Sequence, residues 1–203
     1  MTRKALILGI GVIAATLSTG ASADIVGSAH DFTPYGWSDG QICKPCHTPH
    51  HSITSVERAP LWNHELTVAT YTLHDGTSGN ATDDLDGRSV LCMSCHDGTV
   101  ALDSFGGNTG VQYILGDALL GTDLQDDHPL GSQGIYPDPP PSWFRNKNTF
   151  PSSIRLEDMI VDGNPVQVVS CTTCHEPHKR GNFEHMLRIS NSGSALCLTC
   201  HIK

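Results

Sequence analysis

The chain has 203 residues, of which 38% are hydrophobic and 6% aromatic, with 20 glycines and 12 prolines. That length suits one or two ordinary domains, but so few apolar side chains predict a small core and much irregular backbone. The formal charge of −9 argues against nucleic-acid or anionic-membrane binding through a basic surface.

The N-terminus reads as an export signal. Arg3 and Lys4 form a basic start, Ala5 to Leu17 an apolar run, and Ala21-Ser22-Ala23 a cleavage site. The run of 13 residues is short of the roughly 20 needed to span a bilayer. Residues 1–23 are therefore expected to be removed, leaving one domain over 24–203 with no membrane anchor. Loss of Arg3 and Lys4 takes the formal charge from −9 to −11. The expected destination is outside the cell, or the periplasm.

Eight cysteines in an exported chain first suggest disulfides. Their spacing points elsewhere. They fall as Cys43-Lys-Pro-Cys46-His47, Cys92-Met-Ser-Cys95-His96, Cys171-Thr-Thr-Cys174-His175 and Cys197-Leu-Thr-Cys200-His201, with none left over. A C-x-x-C-H run is the attachment signature of c-type haem. Two thiols at i and i+3 share one face of a helical turn, so each can bond one vinyl group of a porphyrin edge. The adjacent histidine then meets the iron as proximal ligand. Cys₄ zinc sites need no histidine after each pair, and a thioredoxin-like redox pair needs one motif in a βαβ context. The four motifs thus predict four covalently attached haems c.

Eight histidines remain for the opposite faces of the irons: His30, His50, His51, His64, His74, His128, His178 and His185. Methionine is the usual rival, but Met1 leaves with the signal and Met93 sits inside a motif. With only Met159 and Met186 left, bis-histidine ligation is the economical reading, and His/His centres are low in potential. The favoured distal candidates are His30, His64, His128, His50 and His178, with His51 the rival of His50. His47-Thr-Pro-His50 and His175-Glu-Pro-His178 are parallel phrases. A histidine three residues past a proximal ligand, behind a stiff proline, is poorly placed for its own haem and well placed for a neighbour's.

The first two motifs are separated by 49 residues, the next by 79 and the last by 26, so the third and fourth should form a close C-terminal pair. Gly106-Gly107 and Pro137-Asp138-Pro139-Pro140-Pro141 are loop signals. Asp83-Asp84-Leu85-Asp86-Gly87 and Asp123 to Asp127 read as solvated acidic turns without calcium-loop spacing. Short helices are expected at the motifs, for example Ser194 to His201 capped by Ser192 or Ser194, and a short strand over Val166–Val169. The fold expected is a multihaem cytochrome c: mostly irregular coil with a few short helices wrapped around a haem chain. At 45 residues per haem over 24–203, the haems themselves should be the core.

Several longer phrases narrow the reading. His30-Asp-Phe, the run from Cys43 to His50, Pro60-Leu-Trp-Asn-His64, Cys92 to Ala101, Gly121-Thr-Asp-Leu-Gln-Asp-Asp-His128-Pro and Leu196 to His201 resemble the OmcE-type tetrahaem extracellular cytochromes, the cytochrome nanowires. The resemblance implies a homopolymeric filament with a continuous line of bis-histidine haems, one distal histidine being supplied in trans. It implies redox proteins or extracellular electron acceptors as partners. The competing expectations are a soluble periplasmic electron shuttle and a small haem reductase. A reductase needs an open iron face, which no motif marks, so no enzymatic activity is expected.

Overall fold

The computed structural model describes residues 25–178 and 183–203; the export signal expected over 1–23 lies outside them. As the composition dictates, coil dominates. The regular elements are β1 (Thr70–Thr72), β2 (Ser78–Asn80), α1 (Ala81–Asp84), α2 (Gly87–His96), β3 (Glu157–Val161), β4 (Asn164–Val168), α3 (Cys171–Cys174) and α4 (Cys197–Cys200). Single 3-10 turns link them. Among the described residues no helix is long and apolar enough to cross a membrane.

Both sheets are two-stranded antiparallel hairpins. β1 pairs β2 with Tyr71 opposite Gly79. β3 pairs β4 from Glu157↔Val168 to Val161↔Asn164 through a two-residue turn, Asp162-Gly163, both at positive φ. Asp-Gly suits that turn because its twist matches the strands it joins. The expected strand over 166–169 is thus present two residues earlier, with a partner over 157–161 that the sequence reading did not find.

α2 is the longest helix, at 10 residues. Its N-cap is Asp86, whose carboxylate accepts from the amides of Arg88 and Ser89 and so satisfies two of the orphan donors of a helix start. Val90 and Met93 face inward, where Tyr71, Leu73, Ala81, Leu85 and Leu124 close a seven-residue apolar cluster. Met93 is fully buried and contributes about 2 kcal/mol by burial. A small side-chain core therefore exists beside the second motif, of the modest size that the composition predicts. It is local: the remaining motifs are held mainly by backbone hydrogen bonds. Gly131 shows how tightly the coil packs. It has φ +54, and a Cβ there would run into the Asp84 carbonyl.

The acidic run 83–87 is not simply solvated surface. Asp83 is exposed, but Asp86 is only 2% exposed. The C-terminal helix is also shorter than expected, with a 3-10 turn over Ser192–Ser194 and no side-chain cap on α4.

Candidate haem-binding sites

None of the eight cysteines is paired in a disulfide. The second, third and fourth pairs lie on α2, α3 and α4. The first lies in a turn, yet the His47 amide donates to the Cys43 carbonyl at 2.9 Å, the i→i+4 bond of a single helical turn. Each pair is thereby held at helical spacing.

Each motif is braced by a later segment. Pro60-Leu-Trp-Asn-His64 cradles the first: Asn63 donates its amide to the Cys46 carbonyl at 2.9 Å and its side chain to the Lys44 carbonyl at 2.6 Å. Residues 118–120 run along the second, with the Leu120 amide donating to His96 at 2.8 Å. Residues 186–188 run along the third, where Arg188 donates to the Cys174 carbonyl at 2.8 Å. Residues 143–145 brace the fourth, where Arg145 donates to the Cys200 carbonyl at 2.8 Å.

The bracing also aims three of the proximal imidazoles. Nδ1 of His47 donates to the Pro60 carbonyl at 2.6 Å, Nδ1 of His96 to Ala118 at 2.8 Å and Nδ1 of His175 to His185 at 2.8 Å. A donating Nδ1 fixes the tautomer that leaves the Nε2 lone pair for a metal, and fixes the ring's direction.

Three of the other histidines stand opposite proximal ones. His178 lies 6.1 Å from His47 between ring centroids, His30 lies 6.1 Å from His96, and His128 lies 6.3 Å from His201. Their planes differ by 21°, 70° and 60° respectively. Two metal–imidazole bonds of about 2 Å each, with the ring radii added, put the centroids of two axial ligands about 6 Å apart. His30 and His128 have Nδ1 on carbonyls, of Pro177 at 3.3 Å and Pro129 at 3.0 Å. Burial lowers the pKa of His30, with the nearby His96, His178 and His175 adding to it; the neutral imidazole is the ligating form.

His178 is held by a carboxylate instead. Its Nδ1 is 3.2 Å from Glu176 Oε1, and Glu176 Oε2 accepts from Arg188 at 3.0 Å. Burial pushes the Glu176 carboxyl up, but Arg188 and the bonds from His178 outweigh it and hold it below the ordinary value. A carboxylate behind a histidine raises its basicity as a ligand. Sequence reasoning missed both residues. Glu176 was in view inside His175-Glu-Pro-His178, but nothing local signals that Arg188 returns to meet it.

The remaining candidates are placed differently. His64 is buried, with Nδ1 and Nε2 within 2.8 and 3.0 Å of the Glu65 and Ala101 carbonyls and Nε2 3.5 Å from Cys95 Sγ. It lies beside the second motif's sulfur, not across from a proximal ring. His50, His51, His74 and His185 are exposed. Among the described residues no histidine ring stands opposite His175 at the separation of the three pairs.

The thiols link the motifs in chain order. Burial and the neighbouring Cys46 push Cys95 up. A hydrogen bond to Cys171, with burial, raises Cys92. Burial and Cys171, with Cys197, raise Cys174, and burial with Cys174 and Cys197 pushes Cys200 up to about 11. The first motif's thiols therefore lie near the second's, the second's near the third's and the third's near the fourth's.

Behind His96, Asp97 is buried and accepts from the hydroxyls of Thr67 at 2.5 Å, Tyr71 at 2.7 Å and Thr99 at 2.8 Å. Burial, reinforced by Asp97, raises the Tyr71 phenol and keeps it a donor. This network pins the C-terminus of α2 to β1.

The residues fit haem c: paired thiols at helical spacing, proximal imidazoles aimed by carbonyls, and facing rings separated by the depth of a ligated iron. Comparison with curated proteins found no significant match. The doubled CXXCH motif family matches residues 164–203, which span the third and fourth motifs and both of their proximal histidines. That segment is thus a site for covalently bound c-type haem, as in electron-transfer cytochromes.

Proposed function

We propose that the chain is a four-haem electron carrier with histidine on both faces of every iron, and that it polymerises outside the cell into a conducting filament. The observation that carries this reading is the set of three opposed histidine pairs at 6.1–6.3 Å. The ligand sets are His47 with His178, His96 with His30 and His201 with His128. Bound haem supplies the one-electron iron couple. The protein holds the centres in line, tunes them by ligand, burial and charge, and exposes no substrate-binding iron. Redox proteins and extracellular acceptors are its partners.

His175 takes its second ligand from another copy of the chain. His178 crosses to the first motif's histidine, and His50 belongs to the parallel phrase in that first motif. It is exposed, with the Thr48 hydroxyl bonded to its carbonyl. We assign it as the ligand in trans, which makes each subunit complete only when joined to the next. That no described histidine ring stands opposite His175 also favours a second reading, a haem reductase or shuttle in which a small ligand binds there.

Electron microscopy of material released from cells, paired with electron paramagnetic resonance, tests the proposal. Filaments with only low-spin ferric signals are expected. A monomer with one high-spin centre that binds carbon monoxide would contradict it.

A further inference from the structure

Asp86 lies between two haem motifs and contacts neither. Its Oδ1 accepts from the amides of Arg88 at 3.0 Å and Ser89 at 3.2 Å, and from the Ser170 hydroxyl at 2.9 Å. Its Oδ2 accepts from the Ser89 hydroxyl. The two serines complete the cluster. Ser170 caps α3, its Oγ accepting from the Thr172 amide at 3.3 Å, while its own amide donates to Thr173 Oγ1 at 3.0 Å. Ser89 Oγ accepts from the Cys171 amide at 3.2 Å. All three side chains are buried, Asp86 at 2%, Ser89 at 0% and Ser170 at 1% exposure.

An ordinary N-cap serves one helix. Here one carboxylate serves the starts of two, separated by 84 residues in sequence, and each carries a haem motif. The consequence is visible between the two helices, which pack against each other with the Cys171 amide held on the Ser89 hydroxyl of α2. The groups bonded to Asp86 all donate to it, as a buried carboxylate requires, and the Arg88 side chain two residues on lies 3.9 Å from Glu157 instead. A charge in so dry a place is felt over a long distance.

We infer that Asp86 is a positioning residue for electron transfer, fixing the spacing of the second and third haem-bearing helices and holding down the potential of both centres. The inference rests on haem being bonded to Cys92/Cys95 and Cys171/Cys174. A nearby negative charge favours the ferric state, so its removal raises a potential.

The test is a spectroelectrochemical titration of Asp86→Asn, which keeps the acceptor at Oδ1 and removes the charge. Two of the four midpoint potentials should rise and the other two stay, with an unchanged haem-to-protein ratio. Four unmoved potentials, or four moved equally, would overturn the inference. If Asp86→Asn does not accumulate, Ser170→Ala cuts the link from Asp86 to α3 together with that helix's cap: it should shift one or two midpoints and weaken magnetic coupling between centres, and wild-type behaviour in both respects would overturn the inference too. Peptide mass spectrometry of the unaltered protein decides separately whether both motifs carry haem. A negative titration with haem in place therefore counts against Asp86 alone.

Discussion

Replacing His178 with alanine is expected to turn the centre held by Cys43, Cys46 and His47 from low-spin to high-spin. His178 is the ring 6.1 Å from His47, tilted by 21°, and no other histidine ring lies at that separation from His47 among the described residues. Near-parallel axial imidazoles give an ordinary rhombic low-spin spectrum. The steeper angles of the other pairs, 70° and 60°, give signals of larger anisotropy. The substitution should therefore delete the rhombic component, about one part in four of the low-spin intensity under His/His ligation throughout, and spare the rest. His178→Met should keep the centre low-spin and raise its potential, since methionine favours the ferrous state. Electron paramagnetic resonance on the two variants reads both outcomes. An alanine variant with the full rhombic signal would break the assignment.

His50→Ala should abolish assembly while leaving each subunit folded. The residue is exposed and contributes to no apolar cluster, so stability should change by less than about 0.5 kcal/mol, as for surface substitutions generally. The loss at the junction is larger. Changing a residue behind a metal ligand costs 10–100-fold in affinity, so losing the ligand itself should weaken association by at least about 100-fold. The variant should sediment as a monomer and bind carbon monoxide at one iron. Filaments of normal length would remove His50 from the trans position. His51→Ala serves as the control for its neighbour.

Much of this was legible in the sequence because covalent chemistry is local. Five consecutive residues state a haem site whatever the fold around them, and the scarcity of apolar residues announced coil. The histidines that face proximal ones were legible by residue type, not by pairing. His30 meets His96 across 66 positions and His178 meets His47 across 131, and no periodicity links residues that far apart in irregular chain. The phrase Pro60 to His64 drew attention to His64, whereas its clearest work in the structure is done by the Pro60 carbonyl and Asn63. Backbone groups carry no signature in a sequence. Asp86 illustrates the same limit. An acidic run bounded by glycine reads as surface, and only the return of Ser170 from far along the chain buries it. The hairpin over 70–80 was within reach, because His74-Asp75-Gly76 is turn chemistry between two short runs, but three-residue strands are too brief for alternation to show.

The ligand pairs and the junction between subunits all require porphyrin bonded at all four cysteine pairs. Intact-mass measurement of the exported protein, combined with haemochrome absorbance, tests it most directly. The expected product lacks residues 1–23 and is heavier than the bare polypeptide by four haems, with no alkylatable thiol at Cys43, Cys46, Cys92, Cys95, Cys171, Cys174, Cys197 or Cys200. A colourless protein, or one carrying fewer than four haems when fully matured, would contradict it.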